Sequence, residues 1–269
     1  MIINSDTTLY GVFGNPVSHS LSPVMHNTAF DFVGHNGVYL AFKVTDIAAG
    51  VAGIKELGIK GVSITIPHKV SVMPFLEEMD ELSRNIGAVN TIVNENGKLY
   101  GYNSDCKGAI QALRDQTSIK GEDVVIIGAG GAARAIGYGI LSEGGKLTII
   151  NRTVEKGERL ANALGADFFP LSEFKKPKCR ILINTTTLGM TPDIETTPVK
   201  QKNLDRNMVI MDIVYNPLKT RFLKEAGEIG CLTIDGSCMF VYQGAYQFEL
   251  WTGLKAPVNV MKKAVLDAL

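Results

Sequence analysis

Little in this chain invites a metal, a disulfide or a membrane. Four cysteines, Cys106, Cys179, Cys231 and Cys238, are scattered through 269 residues with no Cys-x-x-Cys pair. That spacing argues against a disulfide framework and for a reducing compartment. The four histidines (His19, His26, His35, His68) show neither His-x-x-x-His nor mixed Cys/His spacing, so no metal site is expected. An excess of one charge is missing too: Lys plus Arg and Asp plus Glu each number 27. No net field therefore draws in nucleic acid or an anionic membrane. No apolar run approaches the roughly 20 residues that cross a bilayer. The first ten residues lack the basic-then-apolar order of a secretory signal. The expectation is a cytoplasmic, globular protein, monomer or homodimer, whose partner is a small molecule rather than nucleic acid or membrane.

What the chain does have is alternation, and at 45% hydrophobic residues it can build a real core. Residues 9–13 read as a short strand. Ser22-Pro23 then opens a helix over 24–33, with proline at the favoured first position. A strand at 38–43 and a helix at 47–57, stopped by Gly58, lead to a third strand at 61–66, which Pro67 interrupts before His68-Lys69. Such alternation implies parallel β-α-β units. A second series begins at 124–127, a compact apolar strand of the kind buried on both faces. It continues through a glycine turn to a helix at 134–141, a strand at 146–150, a helix at 154–164, and strands near 181–184 and 209–213. The tail, 242–250 and 258–269, reads as helix. The fold class is α/β, built as two α/β domains with a cleft between them, a common home for a substrate meeting a cofactor. The chain change falls between 101 and 121, with the last helices returning to the first domain. That division assigns 1–104 plus 239–269 to a substrate domain and 105–238 to a Rossmann-type domain.

The turn Gly128-x-Gly130-x-x-Ala133 has the form that binds a dinucleotide. One glycine permits the tight turn, the next admits a pyrophosphate to the backbone, and a small third residue lets helix pack on strand. The free N–H groups of the following helix face the phosphates. Its context is the required one, directly after a buried strand and directly before a helix. About 20 residues on, where an NAD enzyme typically carries an acid, this chain has Asn151-Arg152-Thr153, with Lys156 shortly after. Arg152 can bond a 2′-phosphate that a carboxylate would repel. Lys156, early in a helix, gains nothing from the helix dipole, which favours a ligand as its reason. NADP is therefore the expected cofactor; the plain alternative is a packing turn followed by two solvated cations.

The first domain carries its polar groups at turns. The stretch 14–23 packs Ser18, Ser20 and Ser22 into five residues ahead of a helix, a loop able to hold a carboxylate through hydroxyl and N–H groups. One of these serines capping the helix is the simpler reading. Thr65-Ile66-Pro67-His68-Lys69 puts a lysine just past a strand end, where ligands of parallel sheets collect. There it can exchange a proton with a substrate hydroxyl, although a lone lysine is more often a surface charge. The stretches 88–91 and 101–105 add Asn90, Asn103 and Asp105 at turns, and Asp105 can equally cap a helix beginning near Lys107.

Taken together these blocks resemble the shikimate dehydrogenase family. Residues 14–27 are similar to its G-x-P-x-x-H-S-x-S-P-x-x-H-N signature, through His26 and Asn27. The stretches 65–69, 88–91, 103–105, 128–133, 151–153, 184–190, 212–217 and 236–253 continue the resemblance in order over nearly the whole chain. The resemblance implies NADP-dependent, reversible reduction of 3-dehydroshikimate to shikimate in aromatic amino-acid biosynthesis. By the same resemblance Lys69 matches the catalytic lysine and Asp105 its partner carboxylate. Ser18, Ser20, Thr65, Asn90, Tyr215 and Gln243, with Lys69 and Asp105, match substrate positions. Gly128, Ala129, Gly130, Gly131, Ala132, Asn151, Arg152, Thr153, Lys156, Ile213 and Gly236 match cofactor positions, and Glu81 an acidic one near the cofactor. Three positions depart from the family's habit. Ser63 stands where Asn is frequent and Ser104 where Thr is usual, while Cys106 replaces a common glycine, which would crowd the site or sensitise it to oxidation. A quinate/shikimate dehydrogenase of broader specificity is the nearest rival reading. A non-catalytic NADPH-binding sensor is a more distant one, since Lys69 and Asp105 are both present.

Overall fold

In the computed structural model, which describes residues 2–174, 176 and 178–269, the first apolar burst becomes β1 (Thr8–Gly14). The helix after it, α1 (Ser22–Val33), takes Pro23 in its first turn and stops at Gly34, whose φ of 70° is left-handed. Then come β2 (Gly37–Lys43), α2 (Ile47–Glu56) and β3 (Gly61–Ile64). Asp46 caps α2 by accepting from the Ala48 and Ala49 N–H groups. β1 lies between β2 and β3, all parallel. β3 ends two residues short of expectation, because Thr65 leaves it in a tight loop closed by His68 N–H donating to Thr65 O.

Beyond β3 the purely parallel expectation fails. After β4 (Glu78–Met79) and α3 (Glu81–Ile86), β5 (Thr91–Glu95) and β6 (Lys98–Tyr102) form a hairpin. β5 runs antiparallel to both β3 and β6, in a sheet ordered β2-β1-β3-β5-β6-β4. The turn is Asn96-Gly97, with φ of 54° and 87°, the positive pair that a two-residue hairpin requires. Stretches expected as turns at 88–91 and 101–105 thus frame strands.

The next helix, α4 (Ser104–Arg114), starts before Lys107, so Asp105 sits within its first turn and does not cap it. A second sheet follows: β7 (Asp123–Ile127), α5 (Gly131–Ser142), β8 (Lys146–Asn151), α6 (Val154–Leu164), β9 (Asp167–Pro170), β10 (Ile181–Asn184), β11 (Val209–Asp212), α7 (Arg221–Ile229) and β12 (Leu232–Ile234). Its order is β12-β11-β10-β7-β8-β9 with every pair parallel, the doubly wound arrangement whose direction reverses between β7 and β10. Val125, Ile127, Ile150, Leu182, Ile210 and Phe222 build its core. β9 and β12 escaped the sequence reading because edge strands need no continuous apolar run; Leu232 and Phe169 are exposed.

The chain closes with α8 (Gly236–Thr252) and α9 (Val258–Asp267), and α9 packs on α1. The chain divides into two compact units, one comprising residues 2–104 with Val241–Ala268 and the other Asp105–Phe240 with Leu269. In the first unit the Trp251 indole donates to Ile92 O at 3.0 Å. It lies against Gly61, where any Cβ would collide with the ring. No helix among the described residues is long and apolar enough to cross a membrane.

Candidate active site

Parallel strands β1 and β3 end side by side, with Phe13 opposite Ile64. The loops that leave them therefore share one sheet edge. Asn15 N–H donates to Ile66 O and Thr65 N–H to Phe13 O, both at 2.9 Å. A Cβ on Gly14 would run into the Thr65 side chain, so glycine is what lets the loops close. This brings the Ser18–Ser20 loop beside Thr65–Lys69. Ser18 is exposed, whereas Ser20 Oγ accepts from Ser22 N–H at 3.3 Å. Leu21, not a serine, occupies the α1 N-cap, without a side-chain cap bond.

The antiparallel hairpin delivers the rest of the edge. Because β5 runs against β3, the residue just before it, Asn90, lies at the same end as Thr65, and Asn90 O accepts from Ile64 N–H at 2.8 Å. Val89 N–H donates to Lys69 O at 2.8 Å, tying the lysine's backbone to this stretch. Lys69 itself is half-buried and Asp105, one residue past Ser104, is buried. Asn90 Oδ1 accepts from Ser104 N–H (2.7 Å) and the Thr91 hydroxyl (2.8 Å), and its Nδ2 donates to Ser104 Oγ at 2.9 Å. Gln243, on α8, reaches the same hydroxyl, Ser104 Oγ donating to its Oε1 at 3.4 Å. Half-buried Thr65 and Lys69 and buried Asn90 and Gln243 thus belong to one hydrogen-bonded edge of the first unit.

Behind that edge stands a second polar layer that the sequence reading did not assign to the site. Gln247, one turn on from Gln243, donates to Thr91 Oγ1 at 3.0 Å and Asn90 O at 3.2 Å, and accepts from Ser63 Oγ at 2.8 Å. Ser63 in turn accepts from the Tyr39 hydroxyl at 2.6 Å. Two amides at i and i+4, on one face of a helix dominated by apolar and aromatic residues, were the available signal. His26 stacks on Tyr39 with ring centroids 4.5 Å apart. It is fully buried, and neither ring nitrogen meets hydrogen-bond geometry. Burial pushes the imidazole down to about 3, a shift that nearby Gln247 offsets only in part. His68 is also structural, its Nε2 lying 2.8 Å from Val44 O.

In the second unit the glycine turn leaves β7 at the point where strand order reverses. Gly128 has a φ of 120°, and its N–H donates to Ile150 O at 2.8 Å. A Cβ there would strike the Thr185 hydroxyl. Gly130 differs. Its φ of −93° suits any residue, and an added Cβ would meet nothing within 4 Å. Neither conformation nor packing asks for glycine at Gly130, so what must approach its backbone lies outside the chain, as a pyrophosphate on a helix N-terminus would. Gly131 and Ala132 open α5 directly after it.

The end of β8 presents Asn151, whose Nδ2 donates to Thr153 O at 2.8 Å. Thr153 is the N-cap of α6, yet its side chain makes no cap bond. Arg152 and Lys156 are exposed and form no ion pair among the described residues. Two unpaired cations beside a free N-cap hydroxyl suit a phosphate. Ile213 follows β11, and Gly236 is pressed so closely to Ile213 O and Val214 O that no Cβ fits. Gly236 therefore has a structural reason of its own. Tyr215 stacks on Phe240 at 4.6 Å. Glu81 opens α3 in the first unit and is exposed.

Of the three family departures, Ser63 and Ser104 are links in the buried network. Cys106 is buried against α5, where a Cβ on Gly139 would approach its sulfur to 3.0 Å. It packs the α4–α5 contact, contrary to the expectation of an oxidation-sensitive thiol crowding the site. Among the described residues no two cysteines are joined by a disulfide, and there is no cluster of three or more metal-ligating side chains.

Comparison with known proteins matches residues 12–92 to the shikimate dehydrogenase substrate binding domain. Residues 111–221 match shikimate / quinate 5-dehydrogenase, and 238–266 the shikimate 5′-dehydrogenase C-terminal domain. A shikimate dehydrogenase (NADP(+)) of Geobacillus kaustophilus is 46% identical over 97% of this chain and 98% of its own length. A crystal structure of a shikimate dehydrogenase in complex with NADP+ has a TM-score of 0.95 at 43% identity, covering 99% of this chain and 97% of that one. The Thermus thermophilus enzyme in complex with NADP(H) and shikimate gives 0.90 at 35% identity, covering 97% and 100%.

Proposed function

The chain belongs to the shikimate dehydrogenase family, and from that premise we propose how its own residues divide the work. It is an NADP-dependent oxidoreductase that interconverts 3-dehydroshikimate and shikimate. One observation carries the assignment to residues: a single sheet edge gathers the Ser18–Ser20 loop, Thr65, Lys69, Asn90 and Gln243. Neutral hydroxyls and amides with one amine suit a ring bearing several hydroxyls and a carboxylate.

When bound, NADP supplies the hydride acceptor in one direction and NADPH the donor in the other. Lys69 takes the hydroxyl proton as the substrate carbon is oxidised, and returns it to the developing alkoxide in reduction. Asp105 is its partner carboxylate. Asn90, Gln243, Thr65 and Tyr215 orient the ring hydroxyls, while Ser18 and Ser20 hold the carboxylate. Backbone N–H groups of 128–132 take the pyrophosphate. Asn151, Arg152, Thr153 and Lys156 take the adenosine 2′-phosphate, with Ile213, Gly236 and Glu81 completing the cofactor contacts. The first unit is the substrate domain and the second the cofactor domain of a cytoplasmic enzyme, monomer or homodimer. The test is nicotinamide absorbance with shikimate or quinate and NADP or NAD. The expected result is the highest kcat/KM with shikimate and NADP; a preference for quinate or for NAD would overturn the assignment.

A further inference from the structure

Asp212, the last residue of β11, is fully buried, and its carboxylate faces only uncharged groups. Its Oδ1 accepts from Asn184 Nδ2 at 2.9 Å and from Val214 N–H at 3.1 Å, and its Oδ2 from the Thr220 hydroxyl at 2.7 Å. No cation pairs with it among the described residues. Burial is the main reason its pKa rises to about 6. A buried carboxylate without a counter-charge is costly, and an amide of the same shape would escape that cost. What an amide lacks is acceptors: it has one oxygen where three donors converge.

Those donors belong to three segments. Asn184 ends β10 and uses its other side-chain atom, Oδ1, to accept from the N–H (3.1 Å) and hydroxyl (2.7 Å) of Thr186. The loop after β10 is thereby shaped, and Thr186 Oγ1 accepts from Leu188 N–H at 3.2 Å. Val214 lies between Ile213 and Tyr215 in the loop after β11, and Ile213 N–H donates to Asn184 O at 3.1 Å. Thr220 caps α7, accepting from Leu223 N–H at 3.3 Å while it donates to Asp212. Thr191 and Asn216 join the two loops again through their backbones and side chains, each bond 3.1 Å long.

We propose that Asp212 is a positioning residue for the dehydrogenase reaction: by binding Asn184, Val214 and Thr220 together it holds Ile213 and Tyr215 where cofactor and substrate meet them. The inference rests on the reading of Ile213 and Tyr215 as ligand contacts. It assigns Asp212, Asn184 and Thr220 no contact with either ligand.

Steady-state kinetics on the full-length enzyme, with thermal unfolding in parallel, test it. Loss of folded protein alone lowers kcat and leaves both KM values unchanged. Displaced contacts raise them. Asp212→Asn is expected to raise the KM for shikimate and for NADP, with kcat/KM falling on the order of 10- to 100-fold, in a protein that still unfolds cooperatively. Thr220→Val, which deletes the Oδ2 bond and the α7 cap bond from Leu223 N–H but keeps both Oδ1 bonds, should reproduce part of that rise, and Thr220→Ser, which keeps the hydroxyl, should give wild-type KM values. Tyr215→Ala and Ile213→Ala separate the two ideas. If these raise KM while Asp212→Asn and Thr220→Val do not, the positioning role is wrong and the ligand contacts stand. If they leave KM unchanged, the reading of the contacts fails and the inference falls with it.

Discussion

His26 should make this protein acid-labile in a way that can be isolated from every other titration. The ring is fully buried without a hydrogen bond on either nitrogen, and burial lowers its pKa to about 3. In the unfolded chain it returns to about 6.5. The folded state therefore binds the proton less readily, and the stability this confers is present above pH 6.5 and lost as pH falls through 6.5 toward 3. The loss is about 3 kcal/mol at about pH 4.5 and on the order of 5 kcal/mol near pH 3, a large share of a typical folding free energy. Tyr10 and Tyr39 pack nearby and remain neutral across this range, since burial raises both pKa values. His35, half-buried beside Phe30, is shifted in the same direction as His26, so wild type alone cannot separate the two.

The difference between wild type and His26→Leu can. Trp251, the only tryptophan, lies 5.2 Å from the His26 ring, so its fluorescence in urea reports unfolding of this core directly. The gap in unfolding free energy between the two proteins should move by about 3 kcal/mol in favour of the variant between about pH 7 and pH 4.5. The same gap at both pH values would refute the reasoning and mean that the ring is protonated without cost, or is solvated.

Other outcomes follow from the same geometry. Lys69→Ala should cut kcat by about 10²-fold or more while leaving NADP affinity near wild type; unchanged turnover would remove the lysine from the acid-base role. Arg152→Ala should weaken NADP far more than NAD in direct binding titrations, and equal losses would mean the guanidinium does not meet the 2′-phosphate. Gly130→Ala should unfold at the wild-type temperature or slightly above, since its backbone is extended and its Cβ would enter open space. NADP affinity should nevertheless fall, and intact binding would leave this glycine without a purpose. For Asp212, a raised carboxyl pKa means stability is greatest below the unfolded value of 3.8 and declines as pH rises through about 6, by about 3 kcal/mol in total. Asp212→Asn should flatten that decline in urea titrations at several pH values; an unaltered slope would show that the carboxylate is not desolvated as its burial requires.

What the sequence disclosed and what it hid divide along a physical line. Strands such as 124–127 and turns such as 128–133 were legible because buried parallel strands are continuous apolar runs and dinucleotide turns need glycine at fixed steps. The β5–β6 hairpin was missed although Asn96-Gly97 announces it, because the amides at Asn90 and Asn103 make their flanks resemble loops. β9 and β12 left no run to see, being short edges with exposed side chains. Asp212 and His26 lie within the resembling stretches 212–217 and 14–27, but spacing assigned neither a role. Their importance lies in what surrounds them, three donors in one case and none in the other, and only folding assembles that.

The two units nonetheless follow one rule, which explains where their polar residues accumulate. Each sheet has a pair of adjacent parallel strands from which the chain winds off in opposite directions, β1 and β3 in the first and β7 and β10 in the second. At such a point neighbouring loops leave in opposite directions and open a crevice at the strand ends. Gly14 and Gly128 mark those two points, and both lie so near a threonine of the adjacent loop, Thr65 and Thr185, that a Cβ would collide. The crevices are then lined from behind by buried donors and acceptors: Ser63, Thr91 and Gln247 in one unit, Asn184, Asp212 and Thr220 in the other. Each group satisfies its neighbour, so the residues facing the ligand keep one orientation before it arrives, and less of the binding energy goes into ordering them. Changes in these rear layers should therefore alter KM values without touching a ligand, which is the behaviour that the Asp212 and Thr220 variants are designed to reveal.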